Sequence, residues 1–268
     1  MINAYYHVYL TDDKTWIPLF LDQLKTFYDS SLDDKVDIFN ISAIGNEREL
    51  EDITNILNYH LKFFRCKIHC MFFDKRNVDN DINNYSDKLN SSAAWYVSET
   101  VMLQKLWEDC NNSEQPMQVL YLHMKGVTSI QRNLDKNDKD FGYDILTNNY
   151  YWRKFLDWGV IESHETCLHL LKEKDVVGVN FSNWPVNHFS GNYWWANSSH
   201  IKKLPQPLKD DWWPKYRKEN NFPHYFPDRV KDEMWILSKG GNYHSLYDRQ
   251  SPPKSSFLIL RSEYAKYG

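Results

Sequence analysis

Short β-rich apolar runs alternate with segments of helical periodicity through the first half of the chain, and such an alternation leaves few sheet topologies open. AYYHVYL (Ala4 to Leu10) opens the series, and Thr11-Asp12-Asp13 follows with turn and cap chemistry. Ile17, Phe20, Leu21, Leu24, Phe27 and Tyr28 then recur at helical spacing. VDIFNISAIG (Val36 to Gly45) reads as a second strand ending at glycine. Leu50, Ile53, Leu57 and Leu61 mark a second helical face, and KIHCMFF (Lys67 to Phe73) returns as a third strand. A polar loop, Asp74 to Asn90, precedes a helix striped by Leu103, Leu106, Trp107 and Cys110, and QVLYLHMKG (Gln118 to Gly126) follows as a strand. This order predicts an α/β fold with a mostly parallel sheet flanked by helices. In such sheets ligands collect beyond the carboxyl ends of the strands. One of those ends carries His123, Lys125 and Gly126: an imidazole, an ammonium and a flexible joint, in a chain with only 9 glycines. The combination suits an anionic ligand better than it suits packing.

The second half is less regular. A polar loop (Gln131 to Asp140) leads into two helical stretches, Asp144 to Trp158 and Val160 to Lys172, hinged near Gly159. DVVGVNF (Asp175 to Phe181) reads as a compact buried strand. In HFSGNYWWANSSHIKKLP (His188 to Pro205), Ser190-Gly191-Asn192 is a turn feeding a short aromatic strand. Asn197-Ser198-Ser199 resembles a helix N-cap, and Pro205 stops that helix. Trp194 and Trp195 are adjacent, so on a regular strand they face opposite sides, one into the core and the other toward a cleft. A Pro- and aromatic-rich segment (Pro207 to Pro227), DEMWILSKGG and a strand-like stretch near Tyr243 complete the pattern. No internal repeat or low-complexity linker interrupts it. The expectation is one domain over residues 1–250, with 251–268 a C-terminal tail packed on its outside.

The net charge of -4, with Lys and Arg spread along the chain, argues against nucleic acid as a partner. No stretch approaches 18 uninterrupted apolar residues, so no transmembrane segment is expected. MINAYYHVYL lacks the basic and apolar regions of a signal peptide, which predicts a cytoplasmic protein. Cys66, Cys70, Cys110 and Cys167 form no CxxC pair and read as buried, reduced thiols in a reducing compartment. The chain holds 11 Trp, 18 Tyr and 14 Phe. These rings either fill a core or line a cleft on which sugars or a nucleobase can stack.

Two further groups carry chemistry. Gly191 permits close approach of backbone to a ligand. Asp232 and Glu233 sit at a predicted helix start, where they either favour the positive end of the helix dipole or serve as a general base in a cleft. His244 is a third candidate nearby.

YYHVYL, VLYLHMKGV, DVVGVNF, HFSGNYWWANSSHIKKLP and DEMWI, in that order, resemble a family of nucleotide-sugar glycosyltransferases of the GT-A fold, found in bacterial polysaccharide loci and large DNA viruses. The likeness runs from about Ile2 to Tyr247, and its most specific elements are YLHxKG and GNxWWA. It implies a GT-A-like (Rossmann-like) domain that moves a sugar from a nucleotide diphosphate donor, UDP by the habit of the fold, to a hydroxyl of a glycan or glycoconjugate acceptor, with inversion. Transferases of this fold usually hold Mn²⁺ or Mg²⁺ on an Asp-x-Asp. Here His123-Met124-Lys125 takes that place, so the expectation is a metal-independent or weakly metal-dependent enzyme: no cofactor is required, Mn²⁺ or Mg²⁺ stays open, and His123, Lys125 and Gly126 stabilise the diphosphate directly. By the same resemblance His244 lies near the diphosphate. Tyr6, His7, Gly45 and Asn46 receive the nucleobase, and Gly191, Asn192, Trp194 and Trp195 meet the donor sugar or acceptor, with Trp212 and Trp213 as further stacking candidates. Glu233, then Asp232, is the base. A catalytically silent carbohydrate- or nucleotide-binding protein on the same scaffold is the alternative.

Overall fold

A computed structural model describes residues 1–74, 98–124, 149–208, 212–224, 226, 230–247 and 261–267. The predicted alternation is present: β1 (Ile2–Tyr9), α1 (Trp16–Asp29), β2 (Ile38–Gly45), α2 (Glu47–His60), β3 (Lys67–Asp74), α3 (Ser98–Asn112) and β4 (Gln118–His123). After them come α4 (149–157), a π-helical turn (Trp158–Glu162), α5 (His164–Leu170), β5 (Val176–Gly178), β6 (Phe181–Ser182), β7 (His188–Phe189), β8 (Trp194–Asn197) and α6 (Ser198–Ile201). The described chain ends with α7 (Trp212–Glu219), α8 (Lys231–Trp235), β9 (Tyr243–Ser245) and α9 (Arg261–Tyr264).

Seven strands form one sheet in the order β3-β2-β1-β4-β8-β5-β9. Six run one way and β8 runs against them, so the α/β expectation of a mostly parallel, helix-flanked sheet holds. The pleat sorts side chains between two cores. Tyr6 and Val8 pack on one face with Phe20, Leu24 and Phe27 of α1, whereas Tyr5 and Tyr121 pack on the other with Met102, Leu103 and Leu106 of α3. Because both faces are covered, β1 is apolar nearly throughout rather than alternating. Phe27 lies flat on Phe39 at 4.5 Å between ring centroids, and truncating it to Ala would cost about 3–5 kcal/mol.

Three expectations need correcting. Asp175 to Phe181 is not one strand, because Asn180 takes a left-handed φ of 61° and turns the chain into a separate β6–β7 hairpin. Nor does the C-terminal segment lie wholly outside: Tyr264 is buried in the core against Phe155 and Trp158, and Arg261 pairs with Glu162. Among the cysteines only Cys110 and Cys167 are buried, since Cys66 and Cys70 lie at or beside the edge strand β3, but all four are free. At the expected hinge, Gly159 is the second residue of the π-helical turn, and a Cβ there would meet Val179 at 2.7 Å. No described helix is long and apolar enough to cross a membrane.

Candidate functional site

From β1 the chain crosses outward to β2 and β3, while β4 lies on the other side of β1, so the strand order reverses between β1 and β4. A crevice forms beyond the carboxyl ends of strands at such a reversal. His7 and His123 are register partners at those ends. Strand β8 runs antiparallel to β4, so the Gly191-Asn192 turn that feeds it is delivered beside His123.

Buried polar groups converge there. His123 Nε2 lies 2.9 Å from the Gly191 carbonyl oxygen, and its Nδ1 lies 3.2 Å from Glu99 Oε1. Both neighbours are acceptors, so the ring donates to both when it carries two protons. Glu99 Oε2 also accepts from Asn192 Nδ2 at 3.0 Å and from the Tyr121 hydroxyl at 3.4 Å. Asn192 is itself held by Trp194, whose Nε1 donates to its Oδ1 at 2.8 Å. Gly191 has a φ of +101°, and a Cβ on it would meet Leu156 Cδ1 at 2.7 Å, so glycine is required on both conformational and steric grounds.

Asp232 completes the group. It is 6% exposed, and Thr100 Oγ1 lies 2.8 and 3.1 Å from its two oxygens. Burial pushes its carboxyl up to about 7; the Lys231 charge opposes the rise, and the Glu99 and Glu233 carboxylates reinforce it. A carboxyl poised there exchanges a proton readily at neutral pH. Behind the site, Tyr193 donates to the His123 carbonyl oxygen and accepts from Gln23 Nε2 at 2.9 Å. The same Gln23 nitrogen donates to Asp157 Oδ1 at 2.9 Å. This network ties α1 and α4 to the end of β4.

His7 is held below the usual imidazole range, at about 3, by burial and by the neighbouring His123. Its Nδ1 lies 2.8 Å from Ser42 Oγ, and its buried Nε2 has no hydrogen-bond partner.

The other expected residues fare differently. Lys125 and Gly126 lie outside the described residues. Tyr6 is no platform for a base: it stacks in the core between Phe20 and Phe39, and its hydroxyl donates to Gln23 Oε1 at 2.5 Å. Gly45 is packed by Leu10 and Glu49, and Asn46 is spent on capping α2. Asn46 Oδ1 accepts from the Glu49 amide at 3.0 Å, while Glu49 Oε2 accepts from the Asn46 amide at 2.8 Å, the reciprocal pair of a capping box. Trp194 and Trp195 do face opposite sides of the sheet, but helices cover both faces and both indoles are fully buried, so neither faces a cleft. Trp213 is buried, whereas Trp212 is partly exposed. His244 lies on β9, three strands from β4 and so about 14 Å across the sheet, and is not brought to this cluster. Of the two helix-start carboxylates, Asp232 rather than Glu233 is the buried one. Glu99, Thr100 and Tyr193 went unnoticed in the sequence. An acid in the first turn of a helix was the one signal available for Glu99, and many surface helices share it.

Both ring nitrogens of His123 lie within hydrogen-bonding distance of neighbours inside the fold, the Gly191 carbonyl oxygen and Glu99. Among the described residues no three His, Cys, Asp or Glu side chains converge as ligands would.

An α/β protein with a cluster of buried polar groups, a raised carboxyl among them, at a strand-order reversal belongs to the class whose small-molecule sites lie beyond strand ends. The profile of a domain family of unknown function, DUF8361, matches residues 69–239, well over half of the chain, and the chain belongs to that family. No curated protein matches the sequence. Among solved structures, the apo form of mouse xyloside xylosyltransferase 1 is similar over 91% of this chain and 84% of that one, with 12% identity and a TM-score of 0.38.

Proposed function

We propose that the chain is a glycosyltransferase that moves a sugar from a nucleotide diphosphate, UDP first among them, to a hydroxyl of a glycan acceptor, with inversion. Asp232 carries the reading: a buried carboxyl pushed up to about 7, close to Glu99 and to the end of β4. In this mechanism Asp232 takes the proton of the acceptor hydroxyl as its oxygen bonds to the anomeric carbon. The bond from that carbon to the diphosphate breaks, and the nucleoside diphosphate leaves with the electron pair. His123 holds the Gly191-Asn192 turn in place rather than touching the diphosphate, because both its nitrogens are engaged within the fold. Lys125, two residues further along the chain, is the cation this reading assigns to the leaving group. Asp232 replaces Glu233 as first choice of base, since it is the buried one of the two and burial raises its carboxyl.

The motifs YLHxKG and GNxWWA and the placement of the polar cluster at the strand-order reversal support the same reading. The test is release of nucleoside diphosphate from a panel of nucleotide sugars without acceptor, with EDTA present throughout. Release from at least one donor, abolished by Asp232→Asn, is expected. Tight binding with no turnover on any donor would instead favour the silent binding protein.

A further inference from the structure

Away from the strand ends, between the β6–β7 hairpin and α7, the surface opens into a cleft of about 480 Å³. Its aromatic wall is Trp212 and Tyr216, which lie four residues apart on α7 and so share one helical face, their ring centroids 5.8 Å apart. At the rim, beside the lining residues Pro185 and Val186, Trp184 leaves 61% of its surface exposed and meets Phe226 edge-on at 5.4 Å. It is the one exposed tryptophan among the described residues. A large ring held in water at the lip of a cleft is what a recognition surface looks like.

The rest of the lining decides what is recognised. Asn187 and Asn220 offer exposed side-chain amides; Asn220 Nδ2 already donates to the Tyr216 carbonyl oxygen at 2.9 Å and keeps its second N–H and its oxygen for a ligand. Ser238, also in the lining, has a buried hydroxyl with no hydrogen-bond partner. The charges nearly cancel: Lys215 and Glu219 pair at 3.8 Å, leaving Lys239. A phosphate-rich ligand would need more positive charge than this, and a proline-rich peptide would need a more apolar groove. A ligand with flat C–H faces for the rings and neutral hydroxyls for the amides fits both requirements. We propose that this cleft binds a neutral oligosaccharide. The binding is independent of whether the polar cluster at the strand ends transfers a sugar.

The test uses the full ¹⁵N-labelled chain, titrated separately with cellotetraose, xylotetraose, chitotetraose and decaproline, and follows the tryptophan indole N–H resonances. Those of Trp212 and Trp184 are expected to move with at least one tetrasaccharide, while those of the core residues Trp194 and Trp195 stay. Trp184→Ala should weaken that binding roughly tenfold. Asn187→Ala, an exposed position where folding is not at stake, should weaken it as well. The proposal is overturned if no tetrasaccharide moves these resonances, if decaproline moves them instead, or if neither variant changes the affinity.

Discussion

Replacing Asp232 with Asn should make the protein more stable and less active, and the size of the first effect follows from burial. In the folded chain the Asp232 carboxyl is raised from 3.8 to about 7, while in the unfolded chain it returns to the ordinary value. Folding therefore takes up a proton between the two values. The stability Asp232 contributes is fully present below about pH 4 and is lost as pH rises through about 7. Three units at 1.36 kcal/mol each cap the cost of the charge at about 4 kcal/mol. The contacts with Thr100 Oγ1 offset part of that, and Asn retains an acceptor for the hydroxyl. The expected gain is about 1–3 kcal/mol near pH 8, or about 2–4 °C in Tm per kcal/mol, shrinking toward zero near pH 4. Calorimetric melts of both proteins across that range provide the assay, and their difference cancels groups common to both, such as His7 and Asp157. Activity in the same variant should fall about 10²–10⁴-fold. A variant less stable than wild type near pH 8, or a Tm difference that does not widen with pH, would refute the reasoning.

Further outcomes follow from the same geometry. Gly191→Ala forces a Cβ into Leu156 at a positive φ and should cost about 1–3 kcal/mol, measured as a fall in urea midpoint; an unchanged midpoint would remove the turn's special status. His7 is neutral in the fold, held at about 3 against 6.5 ordinarily, so its contribution is full above about pH 6.5 and lost as pH falls toward 3. His7→Gln should therefore remove about 2 kcal/mol of acid sensitivity between pH 6.5 and 4.5, and an unaltered acid slope would count against it. Lys125→Ala should lose about 2–4 kcal/mol of transition-state stabilisation, read as kcat/KM, and wild-type turnover should survive excess EDTA. Complete loss in EDTA, restored by Mn²⁺, would reject the lysine's role.

The strands and helices of the first half were legible because their signals are local. A period of two or 3.6 and the polar breaks between runs place β1 to β4 within a few residues. Which strand pairs with which is a long-range matter, so the antiparallel insertion of β8 beside β4 had no signal of its own. Trp194 and Trp195 show the boundary clearly. Their opposite orientation follows from the pleat, whereas the burial of both depends on helices far away in sequence. The site divides in the same way. His123, Gly191, Asn192 and Asp232 stood out as residue types at strand and helix ends. Glu99, which binds Asn192 from 93 residues away, did not. Nor does adjacency reveal which of Asp232 and Glu233 turns inward, since that depends on where Thr100 lies.

A structure of the chain with UDP bound tests the central claim most directly. The account predicts the diphosphate beyond the ends of β1 and β4, with the Lys125 ammonium against it and Asp232 on the side from which an acceptor would approach. A nucleotide lodged elsewhere, or a Lys125 side chain directed away from the phosphates, would contradict it.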